Sequence, residues 1–405
     1  MRLTMKERKK AAAILASRYQ KARKKDKGKM LEEFVALTGY RRSYASHVLS
    51  IHGRKWKIGR NKVIQADVRK KGIRKGTKYY DEAVKKPLIT IWYIMDCICG
   101  KRLAPVMDAI IGKLEQFGEI SLEEKVRGKL LRISAATIDR LVAGERRKQT
   151  IKGRSNTKPG TLLRNQIPVR TFSEWNEKKP GFTEIDLVGH DGGDVSGDFI
   201  QTLDVTDVCT TWTETEAVRN KAQVWVFDAL KDIRQRLPFP LLGIDSDSGG
   251  EFINNHLFRY CKKEEITFTR GRSYRKNDSC FVEQKNYSVV RRAVGYARYD
   301  TEEELLTINK LYQRLRLYTN FFQPSMKLVE KTRIGSRVTK KYDKPMTPYQ
   351  RVLGSEHVSA DAKETLKRQY TTLNPASLKR QITKLQQKLL RMTSLKHARR
   401  KRNAA

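Results

Sequence analysis

Breaking or exchanging a phosphodiester bond asks little covalent help of a protein. It asks for hard oxygen ligands that gather divalent cations at one point. Three carboxylates of this chain have the types and spacing for that chemistry. Asp186 lies inside Phe182-Thr-Glu-Ile-Asp-Leu-Val-Gly189, an apolar run that reads as a strand. Asp247 closes Leu241-Leu-Gly-Ile-Asp-Ser-Asp247 and is followed at once by Ser248-Gly249-Gly250. Glu283 falls in Asp278-Ser-Cys-Phe-Val-Glu-Gln-Lys-Asn286, within a helix expected over 278–295. Carboxylates at strand ends and on an adjacent helix can converge, and two Mg²⁺ (or Mn²⁺) ions held there would clamp the attacking and departing oxygens. Asp245, two residues before Asp247, points to the same side of its strand and is expected to sit deeper, accepting structural hydrogen bonds. His190, four residues after Asp186, is expected to be a satisfied loop histidine, with a role beside the phosphate as the alternative.

Ser246-Asp-Ser-Gly-Gly-Glu-Phe252 resembles the Ser-Asp-Asn-Gly-x-Glu-Phe segment of integrase catalytic cores, and Asn277–Asn286 is similar to the segment carrying their last catalytic acid. The 35 residues between Asp247 and Glu283 match the spacing of that family's Asp–Asp–Glu triad. Ser248 stands where Asn is usual and Asp278 where Gly is usual; neither change removes a carboxylate. The resemblance covers roughly residues 181–295, and more weakly 318–352. It implies an RNase H-like fold and polynucleotidyl transfer, with Asp186, Asp247 and Glu283 as the catalytic and metal-binding residues. With helix-turn-helix units ahead of such a core, the whole arrangement is similar to bacterial insertion-sequence transposases. That implies a DNA transposase, active as a homo-oligomer on element ends and target DNA, which releases a 3′-hydroxyl and joins it to the target. A DNA-binding regulator with an inactive core, or a metal-dependent nuclease without strand transfer, are the alternatives.

Composition supports the same class of partner. Among 405 residues, 85 Lys and Arg stand against 44 Asp and Glu, a formal charge of +41. A charge that large constrains partners rather than fold, and points to a polyanion. The most apolar run, Leu88–Cys99, is broken by Asp96, is too short to span a bilayer and reads as one buried core helix. The start carries no apolar signal segment, and the five cysteines form no C-x-x-C pair, so a reducing compartment is expected, cytoplasmic and nucleoid-associated in a bacterial cell. No histidine pairs with cysteines at zinc-finger spacing, so no structural zinc is expected, and the lack of the histidine–cysteine module of retroviral integrases argues against that branch.

The elements that must position the carboxylates follow from periodicity and breakers. A multidomain α and α/β chain is expected: a helix-turn-helix module over 1–75, a second over 76–150, a linker over 151–178, a mixed-sheet core over 179–300, and a basic C-terminal region with a terminal helix over 301–405. In the first module Gly39 supplies a sharp turn between helices, leaving Arg41, Arg42, Ser43, Ser46 and His47 facing outward where base contacts would form. In the second, Thr137 and Arg140 take that place, and Ala135 and Asp139 are also expected outward. Lys285 and Arg291, on the Glu283 helix, are the expected DNA-backbone contacts of the core. Three short strands, then helix, strand, helix, strand, helix is an α/β order with a mixed sheet. Asn374-Pro375 opens the last helix, whose Leu378, Ile382, Leu385, Leu389 and Met392 form one apolar seam.

Overall fold

A computed structural model of the chain describes residues 3–57, 63–68, 79–148, 179–246, 252, 255–270 and 280–403. The chain divides into two compact units, Met1–Tyr79 and Tyr80–Ala405.

In the first unit, a capping box of Thr4 and Glu7 opens α1 (Met5–Lys21), with Thr4 N–H donating to Glu7 Oε2 at 2.7 Å. α2 (Lys24–Thr38) ends on Gly39 at φ +67°, the left-handed conformation that lets the chain turn sharply into α3 (Arg42–Ile51). Ala12, Ala16, Tyr19, Leu31, Phe34, Ala45, Val48 and Leu49 form the small core where these helices meet. Lys55–Lys57 (β1) and Val63–Gln65 (β2) then pair antiparallel.

The second unit opens with α4 (Glu82–Ile94), capped by Asp81, whose carboxylate accepts from Val84 N–H. The apolar run expected as one helix through Cys99 breaks here. Asp96 and Cys97 both take positive φ (57° and 58°), and the chain turns. The turn frees the Asp96 carboxylate to pair with Arg292 at 2.7 Å and Lys379 at 2.6 Å, on two elements far along the chain. α5 (Gly100–Leu103) follows, then α6 (Met107–Gln116), α7 (Glu124–Leu131) and α8 (Ala135–Arg147). Only glycine fits at position 100, since a Cβ there would meet the carbonyl oxygen of Ala135 at 2.1 Å. Asp139, expected to face out, instead accepts from Gly100 N–H at 2.9 Å, because α8 packs tightly against the start of α5.

The linker expected over 151–178 lies outside the described residues. Beyond it come β3 (Phe182–Gly189), β4 (Gln201–Asp207) and β5 (Thr213–Val218), paired antiparallel. α9 (Gln223–Arg236) crosses to β6 (Gly243–Ser246), parallel to β3, and α10 (Asn255–Lys263) to β7 (Thr267–Arg270), parallel to β6. The sheet order is β5-β4-β3-β6-β7, mixed as the sequence order implied. α11 (Cys280–Lys285) runs through a π-helical segment, Asn286–Arg291, into α12 (Arg292–Val294). The remainder is α13 (Glu302–Phe322), an antiparallel hairpin of β8 (Leu328–Ile334) and β9 (Arg337–Tyr342), α14 (Pro348–Gly354), α15 (Ala360–Thr372) and α16 (Pro375–Asn403).

One sheet face carries Ile185, Leu203, Val205, Ile244 and Phe268 against α9 and α10. The larger apolar cluster joins α4–α8 to α13–α16: Leu88, Trp92, Ile111 and Ile138 share it with Tyr312, Phe322, Val352 and Leu389. The helices of 82–147 therefore close no core of their own, and the boundary expected between 76–150 and the later segments does not appear as a break in packing. The seam of α16 packs on α13 in the same cluster. No helix among the described residues is long and apolar enough to cross a membrane.

Candidate active site

Side chains alternate between the faces of a strand, and cross-strand partners share a face. On β3, Glu184 and Asp186 therefore point to the side opposite Ile185. The register places Asp204 of β4 beside Asp186, Asp245 of β6 beside Glu184, and Thr269 of β7 beside Asp245. A chain with a charge of +41 thus gathers four carboxyl groups on one face of its three central strands. Asp245 accepts from Thr269 Oγ1 at 2.5 Å and is almost fully buried. Asp204 and Glu184 are fully buried. Asp186 is only half-buried.

The helix of Glu283 docks on this face through three contacts. Glu184 Oε2 accepts from Phe281 N–H at 2.8 Å and Val282 N–H at 2.9 Å, satisfying amides that the first turn of a helix leaves without partners. Asn286 Nδ2 donates to Asp186 Oδ2 at 2.5 Å. Lys285 is buried over Asp204. Glu283 itself is exposed, on the turn between the Glu184 and Asp186 contacts. The π-helical segment starts at Asn286, and such wide turns are rare, frequently falling at functional sites.

Burial sets the charge states. It pushes Glu184 well above the usual carboxylate range, with Asp245 and Glu283 adding to the shift and the two amides opposing it. It pushes Asp204 up to about 8, with Lys285 opposing. It pushes Lys285 down to about 8, with Asp204 opposing. His190 is fully buried, its Nε2 2.7 Å from Thr202 Oγ1, and burial followed by the Arg291 charge pushes it down to about 3. A neutral, packed histidine is the result, not one beside a phosphate.

Of the three expected catalytic residues, Asp186 and Glu283 belong to one assembly of strand and helix. Asp247 lies outside the described residues; Ser246 before it pairs with Ile185 and with Arg270 at the end of β6. Asp186 and Glu283 carry carboxylate oxygens of the kind that Mg²⁺ or Mn²⁺ takes, and the half-exposure of Asp186 and exposure of Glu283 leave both within reach of a cation. Among the described residues no three candidate ligands converge. Two expected DNA contacts are placed differently. Lys285 turns inward, toward the buried Asp204. Arg291 donates to the Gly189 carbonyl at 2.8 Å, tying the helix to β3. Arg41, at the cap of α3, and Arg42, Ser43 and His47 within it are exposed, whereas Ser46 is half-buried 3.3 Å from the Tyr19 hydroxyl. In α8, Arg140 is exposed and donates to Thr137 Oγ1 at 2.9 Å.

Sequence reasoning passed over Glu184, Asp204 and Asn286. Glu184 carried a signal, being two residues from Asp186 and so on its face. Removing the Glu184 carboxylate strands two amides and opens a cavity, so Glu184→Ala is expected to lower stability by about 2–4 kcal/mol in denaturant unfolding. Glu184→Gln keeps an acceptor and is expected to cost far less. An alanine variant as stable as the parent would remove Glu184 from the docking of α11.

No family model matches the chain. Over 352 residues it is 39% identical to the uncharacterized protein y4rM of Sinorhizobium fredii, covering 86% of this chain and 96% of that one. The chain belongs to the y4rM family. Among solved structures, this y4rM-family chain is similar to the catalytic core domain of BIV integrase, at 18% identity and a TM-score of 0.30, over 44% of this chain and 96% of that one. It is also similar to the HTLV-2 integrase catalytic core domain in complex with magnesium, at 12% identity and a TM-score of 0.28, over 36% and 91%. Likenesses this loose carry no weight beside the geometry of the site.

Proposed function

We propose that the chain is a DNA transposase of the Asp–Asp–Glu type, a polynucleotidyl transferase whose core is RNase H-like. The observation that carries this reading is the docking of the Glu283 helix on the carboxylate face of the sheet, through Asn286 and Asp186. Asp186, Asp247 and Glu283 would hold two divalent ions, which polarise the scissile phosphate and activate the attacking oxygen when bound. Glu184 and Asn286 orient the helix and strand that carry those ligands. Arg41, Arg42, Ser43 and His47, with Thr137 and Arg140 in the second unit, would read or grip the element ends, and the charge of +41 supports a DNA partner.

On this reading terminal inverted repeats should flank the coding gene, and they would supply the substrate for a decisive experiment. A labelled duplex ending in such a repeat, incubated with the full chain and Mg²⁺, should be nicked at the 3′ end and then joined to a second duplex. Nicking without joining would leave a nuclease; binding without nicking would leave a regulator. Arg41→Ala and Arg42→Ala are each expected to weaken binding to the repeat by about 1–3 kcal/mol while changing binding to random duplex less. Equal losses on both duplexes would reduce α3 to a backbone contact.

A further inference from the structure

Among the described residues, none of Leu328–Tyr342 belongs to any of the three hydrophobic clusters. Val329, Ile334, Val338 and Tyr342 are 64%, 78%, 43% and 47% exposed. By strand alternation Arg333, Val338 and Lys340 share one face, while Glu330, Thr332, Thr339 and Lys341 share the other, and all of them are solvent-exposed. A two-stranded hairpin with both faces in water is marginal by itself. Yet its base is held firmly. Lys327 and Asp343 exchange hydrogen bonds at 2.7 and 3.0 Å, and Arg351 clamps Asp343 at 2.8 Å.

Charge and position indicate what it is for. From Lys327 to Lys344 the chain has seven Lys and Arg against two carboxylates, Glu330 and Asp343, and Asp343 is spent at the base. Lys327 Nζ donates to the Cys209 carbonyl at 2.9 Å and lies 6.0 Å from the ring centre of Phe281, two residues before Glu283. The hairpin thus rises from beside the first turn of the candidate catalytic helix. Seven residues of β8 reach about 23 Å at the rise of a strand. A two-stranded ribbon fits the major groove of B-DNA, and cations on its exposed faces meet the phosphates that border the groove.

We propose that β8–β9 is a DNA-gripping ribbon that enters the major groove of duplex DNA beside the catalytic face. Its role at that face rests on the reading of the core as a phosphodiester-cutting site; its grip on the duplex does not. Arg333, Lys340 and Lys341 are the gripping residues.

The experiment measures binding of the full chain to one duplex of fixed sequence by fluorescence anisotropy, across about 50–200 mM salt. Arg333→Ala/Lys340→Ala/Lys341→Ala should bind at least about tenfold more weakly, and its log-log salt slope should be shallower by about 2–3, near one unit per lost phosphate contact. Lys363→Ala/Lys367→Ala/Arg368→Ala on α15 removes the same charge elsewhere and should leave the slope unchanged. Thermal melting of both variants should match the parent. Unchanged affinity and slope in the ribbon variant, or an equal loss in the α15 variant, would overturn the proposal. So would a parent preference for double-stranded RNA, whose deep, narrow major groove excludes the ribbon. A parent that binds and shows the ribbon effect but cuts no duplex with Mg²⁺ sinks the catalytic reading and leaves the ribbon standing.

Discussion

Asp247→Asn is expected to cut Mg²⁺-dependent 3′-end cleavage by about 100-fold or more, while folding and duplex binding stay intact. Paired ions act together, and losing one charged ligand forfeits several kcal/mol of charge stabilisation on the scissile phosphate. Asp245→Asn should behave in the opposite way. Asp245 is buried on β6, beside Glu184, and accepts from Thr269 Oγ1. Its amide replacement should lower stability by roughly 1–3 kcal/mol by disturbing that buried contact, and cleavage should be at least partly retained. Melting and end cleavage measured side by side on both variants decide the matter. A cutting Asp247→Asn beside a well-folded but dead Asp245→Asn would shift the triad by two residues.

The second large effect is on acid stability. His190 carries a pKa pushed down to about 3 in the folded chain, against 6.5 unperturbed. Between those values the unfolded chain binds a proton that the folded chain does not. Stability therefore rises with pH across this window and is lost as pH falls below 6.5, at up to about 1.4 kcal/mol per unit. The groups facing His190 reinforce the direction. Arg291 repels a second cation, while Tyr299, packed edge-on at 5.6 Å, and Tyr312, bonded to Thr202, are neutral in this range. His190→Gln keeps a hydrogen-bonding group near Thr202 and removes the titration. Denaturant unfolding at pH 7 and pH 5 should show the parent losing about 2 kcal/mol more than the variant. An identical pH dependence in the two would mean that His190 is not buried neutral.

Much of the site was legible, and the missing parts share a cause. Asp186 and Glu283 stood out because a carboxylate in an apolar strand, and another at a characteristic spacing on a helix, break local expectation. Asp204 looked like any acid in a strand, since its place beside Asp186 depends on the β3–β4 register across the 190–200 connection. Lys285 read as an outward DNA-backbone contact because helical spacing cannot reveal a buried carboxylate on another strand. The β8–β9 hairpin left only one signal, the Gly335-Ser336 turn with Gly335 at φ +60°. Its strands show no alternation because neither face is buried.

By itself the sequence determined what is local. Capping at Thr4 and Asn374, the left-handed turn at Gly39, the order of strands and helices in the mixed sheet, and the positions of Asp186 and Glu283 on their elements each depend on a few consecutive side chains and the backbone. Only the tertiary structure decided what those elements face. Periodicity says that α4 and α8 each have an apolar side; that these sides belong to one core continuous with α13, α14 and α16 is a matter of packing partners far along the chain. The same holds at the site. Four carboxyl groups from three strands share one face, and a helix is anchored over them by Glu184 and Asn286, because strand register joins residues about 20 to 60 positions apart and helix docking joins residues about a hundred apart, distances at which local propensity carries no information.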